Sequence, residues 1–164
     1  MKKLLLYSSI IVISLLNFGC PVGLDYALGN PGKEKIDTKL LGIWSNSEED
    51  PEVVRATISK IDNYSYKIVV NERGSMYSLE TDELTAWVTK VDGKLFLYMK
   101  PDNEDKYYHY LIVDLTKDTM ITADVSLLDG GVDAVTSTAT LKNQVKKSMK
   151  MEGWATETIT WTKE

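Results

Sequence analysis

Apolar and polar positions alternate at a period of two along most of this chain, and turn residues cut the alternation into short segments. Leu95, Leu97 and Met99 face one way. In the segment from Tyr107, one face carries His109, Leu111, Val113 and Leu115, and Tyr108, Tyr110 and Ile112 oppose it. Further on, Ile121, Ala123, Val125 and Leu127 share a face opposite Met120, Thr122, Asp124 and Ser126. This pattern predicts strands over 40–46, 53–62, 64–71, 76–80, 84–91, 94–100, 107–116, 119–127 and 157–163. The turns fall at Asp62-Asn63, Arg73-Gly74, Asp92-Gly93 and Lys117-Asp118. Asp-Gly between alternating runs is the strongest short hairpin signal, because both central residues of the favoured turn need positive φ.

The period changes once. From about Ser137, Leu141, Val145 and Met149 recur at helical spacing with lysines between them, and Ser137 or Thr138 can cap the start. Gly153 is expected to end that helix. A last strand carries Ile159 and Trp161 inward, with Thr158, Thr160 and Thr162 outward. The predicted fold is mostly β: an antiparallel up-and-down barrel of about eight or nine strands, with one short helix before the last strand. One core face and one wet face are expected for each strand.

The first residues follow a different logic. Lys2 and Lys3 precede an apolar run over residues 4–16, then Asn17-Phe18-Gly19-Cys20. Thirteen residues fall short of the ~20 that a spanning helix needs and fit the ~7–15 of a signal-peptide core. Gly19 followed by Cys20 resembles a bacterial lipobox with Leu16 at its head. The resemblance implies cleavage before Cys20 and acylation, palmitate included, of its sulfur and new amino terminus. Cys20 is the only cysteine, so an internal disulfide is excluded. Residues 1–19 are then a signal peptide, 20–37 a lipidated flexible tether rich in Gly and Pro, and 38–164 the folded domain. Localisation follows: the bacterial envelope, lipid-anchored to a membrane. Pro21 stands where an aspartate would favour inner-membrane retention, so the outer membrane or cell surface is expected over the inner membrane.

Charge narrows the partners. Loss of Lys2 and Lys3 takes the formal net charge from −5 to −7, and only Arg55 and Arg73 are arginines. Phosphate binding needs clustered positive charge, so no nucleic acid is expected. Anionic headgroups would repel the domain, which hangs from its anchor as a monomer.

Gly42-Ile43-Trp44 lies in the first predicted strand, and the strand order ends in a helix and a closing strand. Together these resemble the lipocalin-like barrels, or calycins, in which a G-x-W sets a Trp across the barrel's closed end. Asp105, Tyr107 and Tyr110 stand at a spacing similar to that family's second motif, with Lys106 inserted. No arginine matches its third motif, the one that packs on the first-strand Trp. The resemblance implies residues 38–164 as a lipocalin-like barrel.

Candidate chemistry is sparse. His109 is the only histidine and could serve as general base or metal ligand, but no second His and no free Cys could complete a zinc or copper site. The acidic loops with Glu48, Glu49, Asp50 and Glu52, and with Asp102, Glu104 and Asp105, lack the EF-hand pattern. No nucleophile elbow, P-loop or H-E-x-x-H occurs. The chain is read as non-enzymatic and without cofactor, a hydrolase built on His109 being the least favoured reading. The aromatics are the better lead. Trp44, Tyr64, Tyr66, Trp87, Tyr98 and His109 are the candidate ligand-binding residues, although β-propensity and core filling account for strand aromatics first. The expected function is binding of a small apolar ligand or an envelope protein through the barrel; a filled barrel would make it a protein-interaction or inhibitor module instead.

Overall fold

A computed structural model describes residues 23–46, 54–73, 79–155 and 157–164. The expected signal peptide, Cys20, the loop with Glu48, Glu49, Asp50 and Glu52, Gly74 of the Arg73-Gly74 turn and the start of the expected 76–80 strand lie outside the described residues.

Eight described strands close into one antiparallel barrel: β1 (Gly42–Asn46), β2 (Val54–Lys60), β3 (Tyr66–Arg73), β4 (Leu79–Val91), β5 (Lys94–Pro101), β6 (Tyr108–Leu115), β7 (Thr119–Asp124) and β8 (Thr158–Lys163). Each pairs with the next, and β8 closes on β1 through Trp44↔Lys163 and Ser45↔Thr162. A single helix, α1 (Thr138–Ser148), precedes β8. Closure removes the sheet edges that would otherwise invite pairing with other chains.

Local chemistry places the elements. Asp92 and Gly93 both take positive φ, 49° and 82°, and join β4 to β5 as the hairpin signal requires. Ser137 caps α1 through its side chain and forms a capping box with Thr140, so two otherwise unpaired amide groups are satisfied reciprocally. The helix stops at Ser148 rather than at Gly153. The Ser148 hydroxyl instead accepts the backbone N–H groups of Leu128 and Asp129, which ties the helix end to the chain leaving β7.

Three expectations are corrected. The segments read as two strands, 76–80 and 84–91, belong in their described part to one thirteen-residue strand, because Thr81, Asp82 and Glu83 pair with β3 instead of turning. The first strand begins at Gly42; Thr38–Leu40 form a 3-10 turn whose preceding residue, Asp37, accepts the Lys39 N–H. Finally, β6 has no wet face along its first half. Tyr110 and Ile112 point into the barrel, while His109 and Leu111 are buried on its outer side. A register shift between Ile112 and Asp114 leaves Val113 48% exposed and returns Leu115 to the inner face opposite Met120. A bulge is invisible to strict alternation.

The outer side of β6 is dry along its first half because two elements cover it. α1 buries Leu141 and Val145 against Phe96, Leu111 and Ala123. The segment 23–37, expected as a free tether, is a strap laid along the barrel wall. Its Leu28 is fully buried, and Leu24 exchanges two backbone hydrogen bonds with Tyr107, of 2.9 and 2.8 Å. Glycines and prolines end strand periodicity, but they do not prevent docking. Gly29 lies so close that an added Cβ would stand 2.8 Å from Thr89 Cβ and 3.0 Å from a Tyr98 ring carbon.

An apolar cavity above a tryptophan-sealed floor

The barrel's inner residues divide into a packed floor and an unfilled upper half. At the floor, Trp44 is fully buried and its indole N–H donates to the Leu40 carbonyl at 2.8 Å. Tyr66, equally buried, accepts the Asp37 N–H at 2.6 Å and donates to the Asp37 carbonyl at 3.2 Å; burial pushes its phenol up to about 12. Lys163 Nζ stands 4.9 Å from the Trp44 ring centre and donates to the Lys39 carbonyl at 3.2 Å. Gly42 makes this crossing possible. Its φ is 138°, and a Cβ there would fall 2.4 Å from Lys163 Cε. The spacing Gly-x-Trp is thus explained by geometry: a residue without a side chain lets the last-strand cation reach the first-strand ring.

Above the floor lies a cavity of about 560 Å³. β1 and β2 contribute Asn46, Ala56 and Ile58; β3 contributes Ile68 and Val70; β5 and β6 contribute Leu97, Met99 and Tyr110. β7 and β8 complete the wall with Met120, Thr122, Thr158, Ile159 and Trp161. Among the described residues, no charged side chain lines it. Its volume falls within the ~300–1,000 Å³ of small-molecule sites, and its few polar groups are those that orient a ligand rather than solvate it. The Trp161 indole N–H donates to the Thr122 hydroxyl at 3.0 Å, which ties the ring to β7 and leaves the hydroxyl its own proton to donate. Ile159, 36% exposed, belongs both to the wall and to the surface, so the cavity reaches solvent at the end where β7 stops and β8 starts.

The five aromatics and one histidine singled out from the sequence fall into three places, and none lines this cavity. Trp44 and Tyr66 seal the floor. Tyr64 is exposed in the turn between β2 and β3. Trp87, Tyr98 and His109 form a ladder on the outside of β4, β5 and β6, set by the pairs Trp87↔Tyr98 and Tyr98↔His109. Ring centres are 5.7 Å apart for Trp87 and Tyr98 and 6.4 Å for Tyr98 and His109, both stacked. The strap covers the ladder. Burial pulls His109 down to about 4, against a hydrogen bond with the Tyr26 backbone that pulls the other way. It also pushes the Tyr98 phenol well up. His109 is therefore a neutral wall residue whose side chain lies on the outer face, away from the cavity. The lining was missed because it is mostly aliphatic: Ile, Leu, Val and Met at period two read as core in any barrel. The one aromatic signal that did point there was the inward reading of Ile159 and Trp161.

Among the described residues, no group of three or more His, Cys, Asp or Glu could hold a metal ion, and no helix is long and apolar enough to cross a membrane. Comparison with family models, curated proteins and solved structures finds no match to this chain.

Proposed function

We propose that this protein is a membrane-anchored bacterial lipoprotein, acylated at Cys20, whose lipocalin-like barrel binds a small apolar ligand without chemistry. The observation that carries the reading is the unfilled upper half of the barrel. A protein interior packs to near-crystalline density, so some 560 Å³ of apolar space above a packed floor is room that a small apolar ligand fits. The Trp44–Lys163 contact supports the lipocalin-like assignment: a lysine near the chain's end does what that family's arginine does against the first-strand Trp. Burial of the sole histidine beneath the strap, on the wall opposite the cavity side, supports a non-enzymatic role.

The test is organic extraction and mass spectrometry of the intact protein purified from its own membranes, beside the variant Ala56→Phe. Ala56 is 7% exposed and lines the cavity, so a phenyl group there occupies the ligand's space. A stoichiometric apolar molecule in the native protein and its loss from the variant are expected. An empty native protein, or equal loading of both, refutes ligand binding.

A further inference from the structure

The strap and the cavity mouth share one end of the barrel. Leu24 pairs with Tyr107, which immediately precedes β6, on the same rim as Met99 and Tyr110. An ion pair from Lys106 to Asp25 holds the same point. From there the strap runs away from the mouth. Gly29 meets Thr89 and Tyr98, Glu34 accepts from the Thr89 hydroxyl at 2.7 Å and the Lys90 N–H at 3.3 Å, and Ile36 donates to the Asn63 carbonyl at 3.0 Å. It ends at Asp37 on the Tyr66 hydroxyl, beneath the floor. Followed towards its N-terminus, the described chain therefore ends at the mouth.

That direction fixes the domain's posture. Cys20 precedes Leu24 by four residues, a reach of at most ~14 Å. The eight residues of β5, at ~3.4 Å each and tilted by ~40°, separate mouth from floor by roughly 20 Å. An anchor tied at the mouth by so short a leash cannot set the floor against the bilayer while the strap stays docked. We infer that the barrel stands mouth towards the membrane and that its cavity receives an acyl chain of a bilayer lipid, not a solute from the aqueous side. The inference rests on acylation at Cys20. The described cavity wall fits such a chain: its residues are mostly aliphatic and none is charged, with Asn46, Tyr110, Thr122 and Thr158 as polar groups. Asp124 lies beside this rim, paired with Tyr110, and burial together with nearby Glu157 pushes its carboxyl up. Where ionised, the neighbouring carboxylates Asp124 and Glu157 at this rim repel an anionic headgroup and so favour a zwitterionic, uncharged or cationic one.

The experiment uses the acylated full-length mature protein in phosphatidylcholine vesicles carrying a headgroup nitroxide. Cys20 is the only native cysteine, so Glu104→Cys in the mouth-side loop and Lys117→Cys in the floor-side turn each accept one fluorophore. Both positions are exposed. Severalfold stronger quenching at position 104 than at 117 is expected, and ten Gly/Ser residues inserted between Val22 and Gly23 erase the difference. Equal quenching, or the reverse order, overturns the posture. A second arm replaces the headgroup nitroxide with phosphatidylcholine labelled on its acyl chain. Quenching of tryptophan fluorescence in the native protein, lost in Ala56→Phe, is expected through Trp161; native fluorescence left unquenched overturns the ligand source. Cys20→Ser separates the layers. If that variant stays with the vesicles, acylation is wrong; if it is released while the labels report a floor-down barrel, acylation stands and the posture alone fails.

Discussion

Acid should loosen this protein through one residue, His109. Its ring is 8% exposed, stacked on Tyr98 and covered by the strap, so the imidazolium would sit in apolar surroundings. The folded chain takes up that proton only near pH 4, whereas the unfolded chain takes it up at the ordinary value near 6.5. Below 6.5 the unfolded state binds more protons than the folded one. Stability is therefore intact above pH 6.5, falls as the pH drops towards 4, and stops falling below that. The interval of roughly 2.5 pH units corresponds to about 3 kcal/mol. The comparison that isolates it is urea unfolding of the native protein and of His109→Phe at pH 7, 6, 5 and 4.5, followed by tryptophan fluorescence. Phenylalanine keeps the stack on Tyr98 but cannot titrate. It forfeits the bond to the Tyr26 backbone, a pH-independent cost of about 1 kcal/mol. The native protein should start more stable or equal at pH 7 and lose its lead as the pH falls, with most of the ~3 kcal/mol spent by pH 4.5. Parallel pH profiles for the two proteins would refute a buried neutral His109.

Other perturbations read other parts of the design. Leu28→Ala should cost about 2–5 kcal/mol in urea unfolding, because the side chain is fully buried between strap and wall; a free tether would lose nothing. Gly42→Ala should cost about 1–3 kcal/mol from positive φ alone, and more from the collision with Lys163; the double variant Gly42→Ala, Lys163→Ala should recover the collision part in a double-mutant cycle. Ser137→Ala should lower thermal stability by about 1 kcal/mol through loss of the α1 cap.

The relation between chain and fold differs from element to element. Asp92-Gly93, Ser137 and the Ile159/Trp161 face were legible because each is decided by neighbours in sequence: a turn's dihedral demands, a cap's reach, a strand's pleat. The single strand β4 was not, since nothing local distinguishes a polar stretch of edge from one paired to a partner. His109 and Leu111 looked like core-face residues and are buried, but against the outer layer instead of the barrel interior; both faces of the first half of β6 are dry, so hydrophobicity could not tell inside from outside. The cavity was equally hidden. Whether aliphatic residues at period two meet across a barrel or leave a space between them depends on the closure of all eight strands, not on any one of them.

Residues 20–37 divide the two kinds of knowledge most sharply. The sequence by itself determined the mostly antiparallel β-barrel, its helix before the last strand and the place of Gly42-Ile43-Trp44 at one end. These rest on periodicity, dihedral preference and short motifs, all of which act over a few residues. Only the tertiary structure decided that the supposed tether is a docked strap, that Lys163 reaches Trp44 across Gly42, and that the strap begins at the mouth of an apolar cavity. Those are contacts between residues some 60 to 120 positions apart, created when burial of Leu28 and closure of β8 on β1 bring distant surfaces together.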